Sequence, residues 1–313
     1  MNYPKNCNQL ELQDLQLSES LKKITLHKLI AEKVNIAKML QRDRRSEHIQ
    51  VCGSMLNFIK ERNIVTEEVR RRLIKANFCK YRFCPMCQWR MARKVCREVL
   101  GRLRTIEQDH NGVALLFLTL TIKNEPLAEL NRTVKHLSAS FNRMQKTQQY
   151  KCAVLGSIRA IEFLGDNTEQ GECHPHFHCL LVVNKNYFKS RDYINFEEWT
   201  ALWQRSLRVN YRPVIHVQRV KPKGKMSAIV AAALEVVKYS VTSSDLEKLT
   251  KEDFQELDKQ TRNIRQYNYS GELKDAEPTF DDIEDESLWE LLEEEYYQWK
   301  NGQYSKRKFN SAV

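Results

Sequence analysis

Apolar residues recur at helical spacing over residues 21–40 (Leu26, Leu29, Ile30, Val34, Ile36, Ala37 and Leu40) among several lysines, behind a polar arm at residues 1–19. That pattern predicts a basic amphipathic helix. A second helix is expected over 88–108, and the period then changes. Residues 113–123 alternate Thr119 and Thr121 against Leu118, Leu120 and Ile122, which predicts a strand. Asn124-Glu125-Pro126 breaks it, and 127–148 reads as a helix with Leu130, Val134, Leu137 and Phe141 inward. Residues 154–163 form a second strand, and Gly165-Asp166-Asn167 with the polar residues to Glu172 closes a hairpin onto an apolar run ending at Val183. Further on, the pattern predicts a helix over 195–209, a strand over 214–220 and a helix over 227–242 capped by Ser227. A helix over 245–260 follows. Residues 263–271 are polar and turn-like, and Trp289, Leu291, Leu292, Tyr296 and Trp299 suggest a last amphipathic helix.

The run from Cys173 to Val183 carries His174, His176 and His178 at alternate positions. On a strand these share one face, while Phe177, Cys179 and Leu181 share the other. Three imidazoles at that spacing, ending in a core strand, predict a divalent-metal site on a sheet rather than an idle histidine-rich loop. Cys173 and Cys179 alternate to the far face and are not expected to ligate.

At 313 residues and 42% apolar composition, the chain is expected to fold as a soluble protein. Its net charge of +11 points to a polyanionic partner, or to a solubility device. Residues 272–295 hold twelve acidic side chains against one lysine, a net of -11, so the remainder carries +22. The acidic stretch would contact a partner or shield the nucleic-acid groove. No run of eighteen apolar residues and no signal-peptide pattern is present, which suggests a cytoplasmic protein. In a reducing compartment, clustered cysteines are read as metal ligands, and Cys7, Cys96, Cys152 and Cys179 as small core residues.

Cys84 and Cys87, two residues apart, can bite one zinc from a tight turn, and Cys79 lies five residues upstream. Cys52 is the expected fourth ligand, since Gly53 permits a sharp turn; His48 is its competitor. Around this knuckle lie Lys80, Tyr81, Arg82, Phe83, Trp89, Arg90, Arg93 and Lys94. Basic residues interleaved with aromatics can track phosphates and stack on bases. Lys221, Lys223 and Lys225 form a second basic turn.

On the predicted helix over 227–242, Glu235 and Tyr239 stand four apart, opposite Ile229, Ala233, Val236, Val237 and Ser240. A tyrosine nucleophile with an acid/base partner needs such a pair, although Glu-Tyr surface pairs are common.

With Phe117-Leu118-Thr119-Leu120-Thr121, the His174 to Leu181 run and Glu235-Val236-Val237-Lys238-Tyr239 in place, the chain resembles the plasmid rolling-circle replication initiators of Gram-positive bacteria. These lie within the histidine-hydrophobic-histidine (HUH) endonuclease superfamily. The cysteine knuckle, Ala160-Ile161-Glu162 and the Trp199 to Trp203 stretch add to the likeness. The resemblance implies an α+β fold: a central antiparallel sheet of about five strands backed by helices on one face, with the metal strand and the tyrosine helix on the other. An N-terminal helical region and a zinc knuckle precede it. It implies metal binding by His176 and His178, with Glu162 favoured over His174 as third ligand for Mn2+ or Mg2+. Tyr239 would nick one DNA strand, leaving a 5′-phosphotyrosine and a free 3′-hydroxyl, and Glu235 would activate water to end the reaction. The implied organisation is an arm and basic helix over 1–45, a zinc-knuckle DNA-binding region over 46–110, a nickase and strand-transferase domain over 111–262 and an acidic helical tail over 263–313. Origin DNA, a host helicase and a DNA polymerase are the implied partners, and a homodimer is allowed. A transposase or relaxase with the same centre, or a non-catalytic zinc-stabilised DNA-binding protein, is the rival reading.

Overall fold

The computed structural model describes residues 7–40, 44–165, 168–222, 224, 227–237, 241–279 and 289–307, with the backbone alone for 7–20. In chain order the elements begin with α1 (Cys7–Val34), α2 (Ile36–Met39), α3 (Arg44–Gln50), β1 (Met55–Asn63), β2 (Val69–Ala76) and α4 (Pro85–Asp109). They continue with β3 (Val113–Leu120), β4 (Glu125–Pro126), α5 (Leu130–Gln145), α6 (Gln148–Ala153), β5 (Val154–Glu162), β6 (Glu172–Cys173) and β7 (His176–Asn184). The remainder is α7 (Phe196–Leu207), β8 (Ile215–Arg219), α8 (Ala228–Val236), α9 (Ser243–Lys248), α10 (Lys251–Gln260), β9 (Tyr267–Gly271), α11 (Glu272–Asp275), β10 (Trp289–Lys300) and β11 (Gln303–Lys306). The fold is α+β. Among the described residues no helix is long and apolar enough to cross a membrane.

The chain divides into two compact units, Met1–Arg90 with Asp281–Val313, and Met91–Phe280. The first is built on an antiparallel sheet in the order β11-β10-β1-β2. Leu56 and Phe58 alternate inward on β1, and Tyr297 of β10 meets Phe58 edge-on at 5.7 Å. The last amphipathic helix expected around Trp289 to Trp299 is instead the strand β10. As a helix it would stack Glu290, Glu293 and Glu294 at repulsive spacings of three and four. As a strand it faces cations: Arg62 meets Glu290 at 2.8 Å, Arg71 meets Glu295 at 3.0 Å, and Lys306 reaches Glu293 and Glu295 at 2.8 and 2.9 Å.

The second unit holds a five-stranded antiparallel sheet in the order β8-β3-β7-β5-β9. β7 is the middle strand, and Leu180, Leu181, Val182 and Val183 are fully buried, as a strand covered on both faces requires. One face packs on α4 through Val95, Val99, Leu103 and Ile106, and on α8 through Ile229, Ala232, Ala233 and Val236. Burying Val99, Leu103 and Ile106 stabilises by about 1.5–3 kcal/mol per side chain. On the other face Phe177 meets Phe141 of α5 at 6.0 Å, and Tyr150 meets Trp199 of α7 at 6.2 Å. Helices therefore cover both faces, not one, because the apolar stripe of α4 joins α8 on the side expected to hold the tyrosine helix alone.

Three other elements differ from the sequence expectation. α8 ends at Val236, and Thr242 starts a new helix by accepting from the Asp245 N–H while the Asp245 side chain accepts from the Thr242 N–H. The helix expected over 245–260 is two, α9 and α10, the second capped by Thr250. The supposed turn at 263–271 ends in β9, which extends the sheet beside β5. There Gly156 and Gly271 pass so closely that a Cβ on either would run into backbone of the opposite segment.

Candidate metal centre and thiolate cluster

β5 and β7 run antiparallel in a register that sets Glu162 opposite His176 and Ala160 opposite His178. Side chains of such neighbours share a face, so the carboxylate and both imidazoles converge at one end of the sheet. His176 Nε2 lies 3.1 Å from His178 Nε2, and Glu162 Oε2 lies 2.8 Å from His178 Nε2 and 3.3 Å from His176 Nε2. Three cis ligands of an octahedral ion with bonds of about 2.1 Å are about 3.0 Å apart. The trio thus fits one face of a hard divalent ion. A carboxylate with two imidazoles suits such an ion and leaves its remaining positions for oxygen ligands. Burial alone would raise the Glu162 pKa, but hydrogen bonds from His176 and His178 outweigh it and hold the carboxyl down at about 2.

His174 stands outside that trio. Its Nδ1 meets Asn124 Oδ1 at 2.7 Å, and Asn124 Nδ2 donates to Glu172 Oε2 at 2.9 Å. Burial, and then the neighbouring His176, lower its pKa. Its backbone oxygen accepts from His176 Nδ1 at 2.8 Å, which turns His176 Nε2 toward the trio. Thr119, directly across β3 from His178, places Oγ1 3.4 Å from His178 Nδ1. Sequence reasoning missed this contact; its signal was the hydroxyl of Thr119 following Leu115 and Phe117 on one face of β3. Glu235 is exposed on the last turn of α8. Tyr239 lies outside the described residues, as do Lys223 and Lys225.

Cys52, Cys79, Cys84 and Cys87 converge in the first unit. Their sulfurs are separated by 3.7 Å (Cys52 to Cys87), 3.6 Å (Cys79 to Cys87) and 3.6 Å (Cys52 to Cys84). A tetrahedron with Zn–S bonds of about 2.3 Å has edges of about 3.8 Å, so the cluster could bind zinc. Gly53, at φ 68°, makes the turn that brings Cys52 in from 27 residues before Cys79. The Cys79 N–H donates to Cys52 Sγ at 3.3 Å and the Lys80 N–H to Cys87 Sγ at 3.2 Å, both favouring thiolates. Hydrogen bonds within the cluster, from Cys52 first, push the Cys87 pKa down and those of Cys79 and Cys84 up. Of the cysteines assigned to the core, Cys179 is buried, Cys96 is half-buried and Cys152 is exposed, because it sits on the outer side of α6. The Cys7 side chain lies outside the described residues.

Among the residues named for nucleic-acid binding, Lys80, Arg90 and Lys221 are exposed and Arg82 is half-buried. Trp89 stacks on His27 with ring centroids 4.9 Å apart, and the Arg90 guanidinium lies 3.8 Å over the Phe78 ring. Phe83 is wholly buried and belongs to the core.

The fold and sites define an α+β protein with a carboxylate–histidine trio on an antiparallel sheet and a separate four-thiol cluster. A family model described as Replication protein matches residues 70–309. Protein rep of Streptococcus pneumoniae serotype 2 is 34% identical over 236 residues, covering 75% of this chain and 71% of that one. Protein rep of a Bacillus species is 32% identical over 266 residues (78% and 84%), and Protein rep of Staphylococcus aureus 30% over 204 residues (65% and 84%). No solved structure matches. The chain belongs to this Replication protein family, the plasmid replication initiators. Such proteins bind plasmid origin DNA and are generally nicking endonucleases.

Proposed function

We propose that this chain starts rolling-circle replication by nicking one strand of its plasmid origin with Tyr239. The observation that carries this reading is the convergence of Glu162, His176 and His178 at distances that suit one hard divalent ion. Those three residues would hold Mn2+ or Mg2+, which when bound supplies Lewis acidity at the scissile phosphate. The Tyr239 oxygen attacks phosphorus, the bond to the 3′-oxygen breaks, and the strand is left with a free 3′-hydroxyl and a 5′-phosphotyrosine. Strand transfer follows once the origin is regenerated. In that step Glu235 takes a proton from a water that cuts the regenerated junction, and the 3′-hydroxyl so freed attacks the phosphotyrosine, breaking the bond to Tyr239 and releasing the enzyme. The zinc-bound cysteine unit, with Lys80, Arg82, Trp89 and Arg90, grips the origin, and the basic turn of Lys221, Lys223 and Lys225 adds phosphate contacts. A host helicase opens the duplex and a DNA polymerase extends the 3′-end, in the cytoplasm. A homodimer is compatible with this scheme.

The experiment is to incubate supercoiled plasmid carrying the replicon's origin with the protein and Mn2+. The expected product is an open circle whose 3′-end a polymerase extends, absent with His178→Ala. Tight origin binding without any nick would overturn the proposal in favour of a DNA-binding protein.

A further inference from the structure

On the metal-facing side of β3 the residues are Leu115, Phe117 and Thr119, so one hydroxyl interrupts an otherwise apolar row. It occurs where β3 pairs with His178. The Nε2 of His178 is turned toward Glu162 and His176, and when it gives its lone pair to an ion held there the ring proton must sit on Nδ1. The acceptor 3.4 Å from that nitrogen is Thr119 Oγ1. His176 is held differently, by the backbone carbonyl of His174. Of these two contacts, only that of His178 rests on a side chain.

We propose that Thr119 is a positioning residue: its Oγ1 accepts from the Nδ1–H of His178, fixing the tautomer and ring orientation that present a bare Nε2 beside Glu162 and His176. The inference rests on reading that trio as a metal centre. Partners of this kind raise ligand basicity, and their loss typically weakens metal binding by about 10–100-fold. Valine has the shape of threonine without the acceptor, and serine keeps the acceptor without the methyl group.

The test is a calorimetric titration of the zinc-replete full chain with Mn2+, for wild type, Thr119→Val, Thr119→Ser and His178→Ala. Thr119→Val should bind Mn2+ about tenfold more weakly and Thr119→Ser within about twofold of wild type. In the nicking assay, Thr119→Val should need correspondingly more Mn2+ while its rate at saturating Mn2+ stays close to wild type. Equal affinity of Thr119→Val and wild type would overturn the inference alone, as would a Thr119→Ser variant as weak as Thr119→Val. A wild type no better than His178→Ala would overturn the metal reading and the inference with it.

Discussion

Glu162 and His174 lie on opposite sides of one question, which residue completes the histidine pair. Glu162 is within reach of both imidazoles, whereas His174 is engaged with Asn124. Glu162→Ala should therefore weaken Mn2+ binding by at least about tenfold, and His174→Ala by less than about threefold, in the same calorimetric titration. The reverse order would make His174 the ligand. Glu162 also links the site to acid stability. Its folded pKa, about 2, is depressed below the unfolded value, so its stabilisation is complete above about pH 4.5 and is lost as pH falls through the folded value. At full effect this is about 3 kcal/mol in the ion-free chain. Between pH 6 and pH 3 the stability gap between wild type and Glu162→Gln, measured by urea unfolding, should narrow by about 2 kcal/mol. A constant gap would contradict the hydrogen-bonded carboxylate.

At the scale of elements, β10 turns an acidic stretch into part of the first unit's sheet, pairing with β1 from Met55 opposite Gln298 to Asn63 opposite Trp289. Glu295 is buried against Arg71 and within reach of Lys306. Glu295→Ala should destabilise this unit by about 3 kcal/mol by removing the buried carboxylate that faces Arg71 and Lys306, as read by thermal unfolding. An unchanged midpoint would mean the pair contributes nothing. Cutting the chain near Gly271 would remove β1's neighbour as well as negative charge, so it cannot isolate a shielding effect. The helical reading of this stretch failed because spacings of three and seven among Trp289, Leu292, Tyr296 and Trp299 mimic a helix, while two of the cations that select a strand, Arg62 and Arg71, lie more than 200 residues away. β9 was hidden for a different reason: Tyr267 and Tyr269 alternate with Asn268 and Ser270 over only five residues, and the partner strand β5 lies more than 100 residues earlier. The metal-bearing hairpin was legible because β5 and β7 are local and their apolar alternation is strong. Cys52 was legible through its chemistry and the glycine after it. The Thr119 contact needed the pairing of β3 with β7, which periodicity does not give.

At the scale of the molecule, charge follows the same division. Glu290, Glu293 and Glu295 of β10 are engaged by cations of their own unit, whereas α4 exposes Arg93, Lys94 and Arg97 at helical spacing opposite its buried Val95 and Val99. If that stripe meets phosphates, replacing Lys94 and Arg97 with alanine should weaken binding about equally for origin and unrelated DNA. It should also reduce the slope of log K against log salt by about 1 per residue. An unchanged slope would place the phosphate contacts elsewhere. In the proposed reaction Tyr239 is the group that cuts DNA. Single-stranded origin oligonucleotides labelled at the 5′ or the 3′ end, incubated with the chain and Mn2+ and run on a denaturing protein gel, test it most directly. A label carried by the protein only from the 3′-labelled strand, and lost in Tyr239→Phe, is the predicted result. No adduct with bound origin DNA, or one that survives Tyr239→Phe, would contradict it.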